Sequence, residues 1–288
     1  MNRLFRPRVF LAATGVVAAI AATAGWSAQD STASSPAGAP HTASLTAAQV
    51  NSAPTTTRST RPVCVKSGPR GHCQFGRYAG ITGASSHPYV DQNVWSPISG
   101  WHQTLHATSP GNWYVAASMP SGNTGVVSYP NTGFFYNKAL SRFRSIISSF
   151  SVKIPRRAGT NAEASYDIWF KNSPIDEVMI QNDYSPGRGP SCGTWTARRV
   201  RFGGSRGVPV HRWDLCVNGS TAYWETATGN MPTGKINALA MLKWLVKHGK
   251  VPARAGLTGF SYGFEISSTG GAREDFRLNS FSAHASSR

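Results

Sequence analysis

Twelve carboxylates are spread over 288 residues, and only five of them are glutamates: Glu163, Glu177, Glu225, Glu265 and Glu274. Two of these interrupt runs of strand-forming residues. Across residues 176–181 (Asp-Glu-Val-Met-Ile-Gln), a period of two puts Glu177, Met179 and Gln181 on one face and Val178 and Ile180 on the other. Across 260–267 (Phe-Ser-Tyr-Gly-Phe-Glu-Ile-Ser), it separates Gly263, Glu265 and Ser267 from Tyr262, Phe264 and Ile266. The apolar faces fit a core, and the glutamate faces then line a concave, accessible surface. Glutamate is depleted in strands, so a mid-strand glutamate asks for a reason. Glycoside hydrolysis supplies one: a carboxylate attacks the anomeric carbon while a second, protonated carboxyl gives its proton to the leaving oxygen. The alternative is a solvated strand residue paired with one of the many arginines.

Holding two such carboxylates together requires a sheet, and the rest of the chain reads as one. Strand candidates run over 89–95, 113–118, 126–129, 148–154, 162–170, 177–182, 194–202, 208–217, 221–226, 259–267 and 276–284. Residues 130–133 (Pro-Asn-Thr-Gly) read as a turn, as do Gly203-Gly204 and Asn218-Gly219. Residues 233–248 break the pattern: Ile236, Leu239, Ala240, Leu242, Trp244, Leu245 and Val246 recur at helical spacing, with Thr233 as the expected cap and Gly249 as the stop. Twenty-nine Gly and eighteen Pro with 14% charged residues exclude a coiled coil or helical bundle. The predicted fold is all-β: an antiparallel two-sheet sandwich of jelly-roll, concanavalin-like type with one α-helix packed on it. No phosphate-binding loop, dinucleotide fingerprint or His-Glu-x-x-His motif is present.

Residues 1–28 read as a secretory signal, with Arg3, Arg6 and Arg8 ahead of an apolar run over 9–25 and a small-x-small site at Ala22-Thr23-Ala24. An uncleaved anchor is the alternative. Residues 29–61 contain no aromatic side chain and are rich in Ser, Thr, Ala and Pro, which predicts a disordered linker ahead of a domain over 62–288. An exported chain with four cysteines predicts two disulfides. Three pairings exist; the local one is expected, Cys64–Cys73 closing a loop and Cys192–Cys216 tying two neighbouring strands. Cysteine and histidine spacings do not suit zinc, and no metal or cofactor is expected. The formal charge of +17 suits contact with an anionic cell wall. Without a nucleic-acid motif, and with export, the expected product is a secreted monomer that does not bind nucleic acid.

Tyr166-Asp167-Ile168-Trp169 followed by Asp176-Glu177-Val178-Met179-Ile180 resembles the paired strands of glycoside hydrolase family 12 that carry its nucleophile. Tyr262-Gly263-Phe264-Glu265 resembles the family's acid/base strand, Leu278-Asn279-Ser280-Phe281-Ser282 the strand that closes its sheet, and Asp91-Gln92-Asn93-Val94-Trp95 its N-terminal Asn-x-Trp strand. The likeness spans residues 89–286, in the family's order, with the helix between the two glutamates. It implies a retaining, endo-β-1,4-glucanase-like hydrolase acting on β-glucan. Glu177 would be the nucleophile, Glu265 the acid/base, and Asp167 a hydrogen-bond partner of the nucleophile. Met179 would lie beneath the sugar, and Asn93 and Trp95 would line the donor side. Trp169, on the face of the candidate site, joins Trp95 as a sugar platform. Trp113, Trp195, Trp213, Trp224 and Trp244 read as packing residues. Gln181 stands where the family has a cleft tryptophan, Ile266-Ser267 where it has Pro-Trp, and Ser96 where it has Gly. These losses of stacking area sustain a second reading, a non-catalytic carbohydrate-binding β-sandwich at the cell wall.

Overall fold

Alternating burial along strand after strand shapes the molecule, as the period-two runs require. The computed structural model describes residues 63–288; the signal and linker expected over 1–28 and 29–61 lie outside the described residues. The first strands are β1 (Cys64–Ser67), β2 (His72–Gln74), β3 (Ile81–Thr82), β4 (Tyr89–Asp91), β5 (His102–Ser109), β6 (Asn112–Ser118) and β7 (Asn131–Ala139). Then come β8 (Phe143–Lys153), β9 (Thr160–Lys171), β10 (Glu177–Tyr184), β11 (Ala197–Phe202), β12 (His211–Asn218), β13 (Thr221–Thr226) and β14 (Thr233–Asn237). Helix α1 (Ala238–Lys247) precedes β15 (Gly256–Thr269) and β16 (Arg273–Ser287). One sheet runs β1-β5-β6-β16-β8-β14, with β3 on β16; the larger runs β11-β12-β13-β10-β9-β15-β7-β4-β2. Pairing is antiparallel except for β10 with β13 and β16 with β3. Among the described residues, the result is the predicted two-sheet sandwich with one α-helix.

The core lies between the sheets. Tyr166 and Ile168 of β9, Val178 and Ile180 of β10, and Tyr262, Phe264 and Ile266 of β15 are wholly buried. The Tyr166 ring lies 4.4 Å from that of Tyr262 and 5.6 Å from Phe260, and meets Phe150 of β8 at 6.1 Å and Phe281 of β16 at 6.2 Å. Trp113, Trp213 and Trp224 are buried as expected. Trp244 of α1 meets Trp224 edge-on and stacks on His248.

Three boundaries differ from the sequence reading. The helix begins at Ala238, and Asn237 rather than Thr233 caps it, its Oδ1 accepting from the Ala240 amide at 3.0 Å. Residues 233–237 instead extend β14 along β8. Ile236 is buried in the strand, and Gly234 disfavours the helix, its Cα hydrogen facing the Phe150 ring. Asn131–Gly133, read as a turn, opens β7 because β4 and β15 pair with it on both sides. Gly133 lets the Tyr89 ring lie across it: a Cβ there would fall 2.4 Å from that ring and make it shift. Third, the strand expected over 89–95 stops at Asp91. Asp91 Oδ1 accepts from the Asn93 amide at 3.1 Å, and Asn93 takes a φ of +42°, an Asx turn that lifts the chain out of the sheet.

Both expected disulfides form. Cys64–Cys73 joins β1 to β2 and so links the two sheets. Cys192–Cys216 does not tie two strands as expected; Cys192 lies in the loop between β10 and β11, which it fastens to β12.

Candidate active site

Strand β9 is the axis of the site. Its residues Glu163, Ser165, Asp167 and Trp169 point away from the core. On one side β10 sets Glu177 opposite Trp169, Met179 opposite Asp167 and Gln181 opposite Ser165. On the other, β15 sets Ser261 opposite Asp167, Gly263 opposite Ser165 and Glu265 opposite Glu163. Thr221, Tyr223 and Glu225 of β13 are level with Glu177, Met179 and Gln181. Opposed residues share a face, so Glu177, Asp167, Glu163 and Glu265 collect on one side of three adjacent strands. Glu177 and Glu265 are two strands apart laterally and six residues apart in level along β9, with Asp167 between those levels.

Each of the three expected catalytic carboxyls is pushed upward. Burial raises the Glu177 carboxyl to about 7, against a Thr221 hydroxyl that donates at 3.1 Å and stabilises its charge. Asp167 is held well above the usual range by burial, then by Glu177 and Glu163; hydroxyls of Tyr129 and Ser165 oppose the shift. Glu265 is likewise raised by burial, then by Glu163 and Asp167, with Arg188 opposing. Asp167 therefore feels both glutamates.

The remaining predicted residues divide. Trp169 is 41% exposed and Trp95 53% exposed, so both retain free ring surface. Met179 is buried beside Asp167. Asn93 is partly buried at the turn after β4, where its carbonyl accepts from Tyr129. Gln181 differs from expectation: it is wholly buried, so it offers a sugar no surface. Its amide donates to Glu163, and its oxygen accepts from the Ser191 hydroxyl at 2.8 Å.

The sequence reading overlooked what covers this end of the face. The loop over residues 185–196 folds back so that Arg188 Nε donates to Glu163 Oε2 and Arg188 Nη2 to Ser191 Oγ at 3.0 Å, while the Ser191 amide donates to Glu225 Oε1 at 2.7 Å. Tyr129 enters from the segment before β7, and its hydroxyl donates to the Ser165 carbonyl at 3.1 Å. Glu163 was within reach of sequence reasoning, since it alternates in phase with Ser165, Asp167 and Trp169. Arg188, Ser191 and Tyr129 carry no periodic signal and emerge only from the folded register.

No family model and no curated protein matches the sequence. Solved structures do. The xyloglucanase domain of NopAA from Sinorhizobium fredii, in complex with cellobiose, is similar at a TM-score of 0.62 and 23% identity, over 78% of this chain and 100% of that one. The family 12 xyloglucanase of Bacillus licheniformis is similar at 0.61 and 18% identity, over 78% and 100%. Endoglucanase Cel12A of Rhodothermus marinus matches at 0.61 and 20% identity, over the same shares. The fold is that of the family 12 glycoside hydrolases.

Within this family 12 fold, the raised carboxyls make stability depend on pH in a definite direction. Below about 4.5 Glu177 is protonated whether the chain is folded or not; between about 4.5 and about 7 only the unfolded chain releases the proton. Stability should therefore fall as pH rises through that window, and Asp167 and Glu265 act in the same sense. Thermal unfolding followed in steps from pH 4 to 8 should show the melting temperature declining, and less steeply in Glu177→Gln. Parallel curves for the two proteins would refute the assignment of the shift to Glu177.

Proposed function

We propose that the chain is an exported glycoside hydrolase that cleaves β-glucan in the manner of an endo-β-1,4-glucanase, by a retaining double displacement. The observation that carries this reading is the gathering of Glu177, Asp167 and Glu265 on the outward face of three adjacent strands, in the chain order of the family whose fold the molecule shares. A binding module has no need of such a trio.

In the first step Glu177, ionised, forms a bond to the anomeric carbon as the glycosidic bond breaks, and the leaving oxygen takes the proton of Glu265. In the second, water attacks the same carbon, gives a proton to Glu265, and Glu177 departs. Asp167 orients Glu177 from the neighbouring strand. Trp169 and Trp95 offer ring surface to sugars, Asn93 lines the donor side, Met179 lies beneath the reacting unit, and Gln181 acts on the cleft only through Glu163. The printed activities of the similar structures, xyloglucanase and endoglucanase, support a β-glucan as substrate. Two disulfides and the signal-like N-terminus support export, with the protein acting as a secreted monomer and its net positive charge favouring an anionic wall.

Reducing-end release should be measured on soluble β-glucans, xyloglucan among them, while proton NMR follows the anomeric configuration of the first product. Release with retention is expected. Inversion would keep the two glutamates but place a water between them, the arrangement of wider carboxyl spacing, and would overturn the double displacement. Binding without release would favour the carbohydrate-binding sandwich.

A further inference from the structure

Glu163 has no part in the two-carboxylate scheme, yet it is the residue directly opposite Glu265. It is wholly buried. Both of its oxygens already accept hydrogen bonds, Oε1 from the Gln181 amide and Oε2 from the Arg188 guanidinium. Opposed residues on antiparallel strands hold their Cβ atoms about 5 Å apart, close enough for one carboxyl to hydrogen-bond the other. Two carboxylates at that range cannot both ionise easily. Glu265, by contrast, accepts from no protein donor among the described residues, so it is the partner free to carry the proton they share.

We propose that Glu163 is a positioning residue that keeps the transferable proton on Glu265, and that Arg188 holds Glu163 in the acceptor role. This rests on the reading of Glu265 as the general acid. The groups facing Glu265 agree with it. Glu163 and Asp167 approach from β9, Tyr129 from the segment before β7 and Tyr223 from β13; Arg188, from the loop that Cys192 fastens to β12, is the cation among them. That cation is spent on Glu163, so carboxylates dominate the field at Glu265. Gln181 gains a purpose in the same scheme: where the resembling family carries a tryptophan, this chain carries an amide that fixes Glu163.

The test is the pH dependence of kcat on a soluble β-glucan for the wild type, Glu163→Gln and Arg188→Gln, each checked for fold by circular dichroism. In Glu163→Gln the alkaline limb, which reports loss of the acid's proton, should move to lower pH by about one unit or more, the coupling expected of two carboxyls that titrate as a pair. In Arg188→Gln it should move to higher pH, because the pair then gives up its last proton without a cation nearby, and kcat at the optimum should fall. The acid limb, set by Glu177, should stay in place in both. A merely structural role would not shift the limb in opposite directions. An unmoved alkaline limb in folded Glu163→Gln overturns the proposal. Should the wild type turn over no β-glucan, the functional reading fails by itself, and NMR titration of the Glu265 carboxyl carbon decides the pairing without activity. A midpoint well above the usual glutamate range in the wild type, lowered in Glu163→Gln, supports it. An ordinary midpoint in the wild type overturns it, including where the variant does not fold.

Discussion

Glu177→Gln is expected to abolish turnover, by on the order of 10⁴-fold or more, while leaving fold and sugar binding in place. The substitution removes the attacking oxygen but almost no volume, and an amide can still accept from the Thr221 hydroxyl that now donates to Glu177 at 3.1 Å. It also relieves a buried carboxyl of its charge, so the variant should be no less stable than the wild type at neutral pH. Glu265→Gln should behave differently. It should be inactive on β-glucan yet recover on aryl glycosides whose leaving groups need no proton, whereas Glu177→Gln should recover on neither. Kinetics of both variants on both substrate types separate the roles. Wild-type rates in Glu177→Gln would remove it from the mechanism and return the carbohydrate-binding sandwich to first place.

Tyr166→Ala is expected to give the largest loss of stability of any single side chain discussed, about 3–5 kcal/mol. Its ring contacts Phe260 and Tyr262 within the larger sheet and Phe150 and Phe281 across in the smaller one, so truncation opens a cavity where the two layers meet. Tyr166→Phe keeps that packing and removes only the hydroxyl that donates to Ser148 Oγ at 3.0 Å. It should cost about 1 kcal/mol, because Ser148 keeps its own donation to the Ser282 carbonyl. Urea unfolding of the two variants side by side measures the difference; a Tyr166→Ala midpoint close to that of Tyr166→Phe would show that the ring does not hold the sheets together.

Strand alternation made the core and one face of the site legible from residues alone. Val178, Ile180, Tyr262, Phe264 and Ile266 fall inside, and Glu177 and Glu265 outside, because a period of two leaves no other arrangement once one face is apolar. The extent of strands was less legible, since it depends on partners. Asn131–Gly133 has the composition of a turn and becomes a strand only between β4 and β15. Residues 233–237 satisfy either period and are decided by the free edge of β8. Register was not legible at all. That Glu265 faces Glu163, and that Arg188 reaches back across a loop to meet it, follows from pairings between segments up to about a hundred residues apart, which no local pattern encodes.

The Cys64–Cys73 bond also has a mechanical consequence. β1 is an edge strand of the smaller sheet and β2 an edge strand of the larger, and Cys64 is the first residue of β1. Among the described residues, a pull on Val63 first meets one backbone bond, from its amide to the Ala107 carbonyl at 2.9 Å, and then the sulfur bridge. Peeling of β1 from β5 halts there, because the tension divides between that pairing and Cys73, which is buried in β2 against β4. Both layers of the sandwich share the load from its point of entry, and the strands that carry the candidate site, all in the larger sheet, stay in shape while Val63 is pulled.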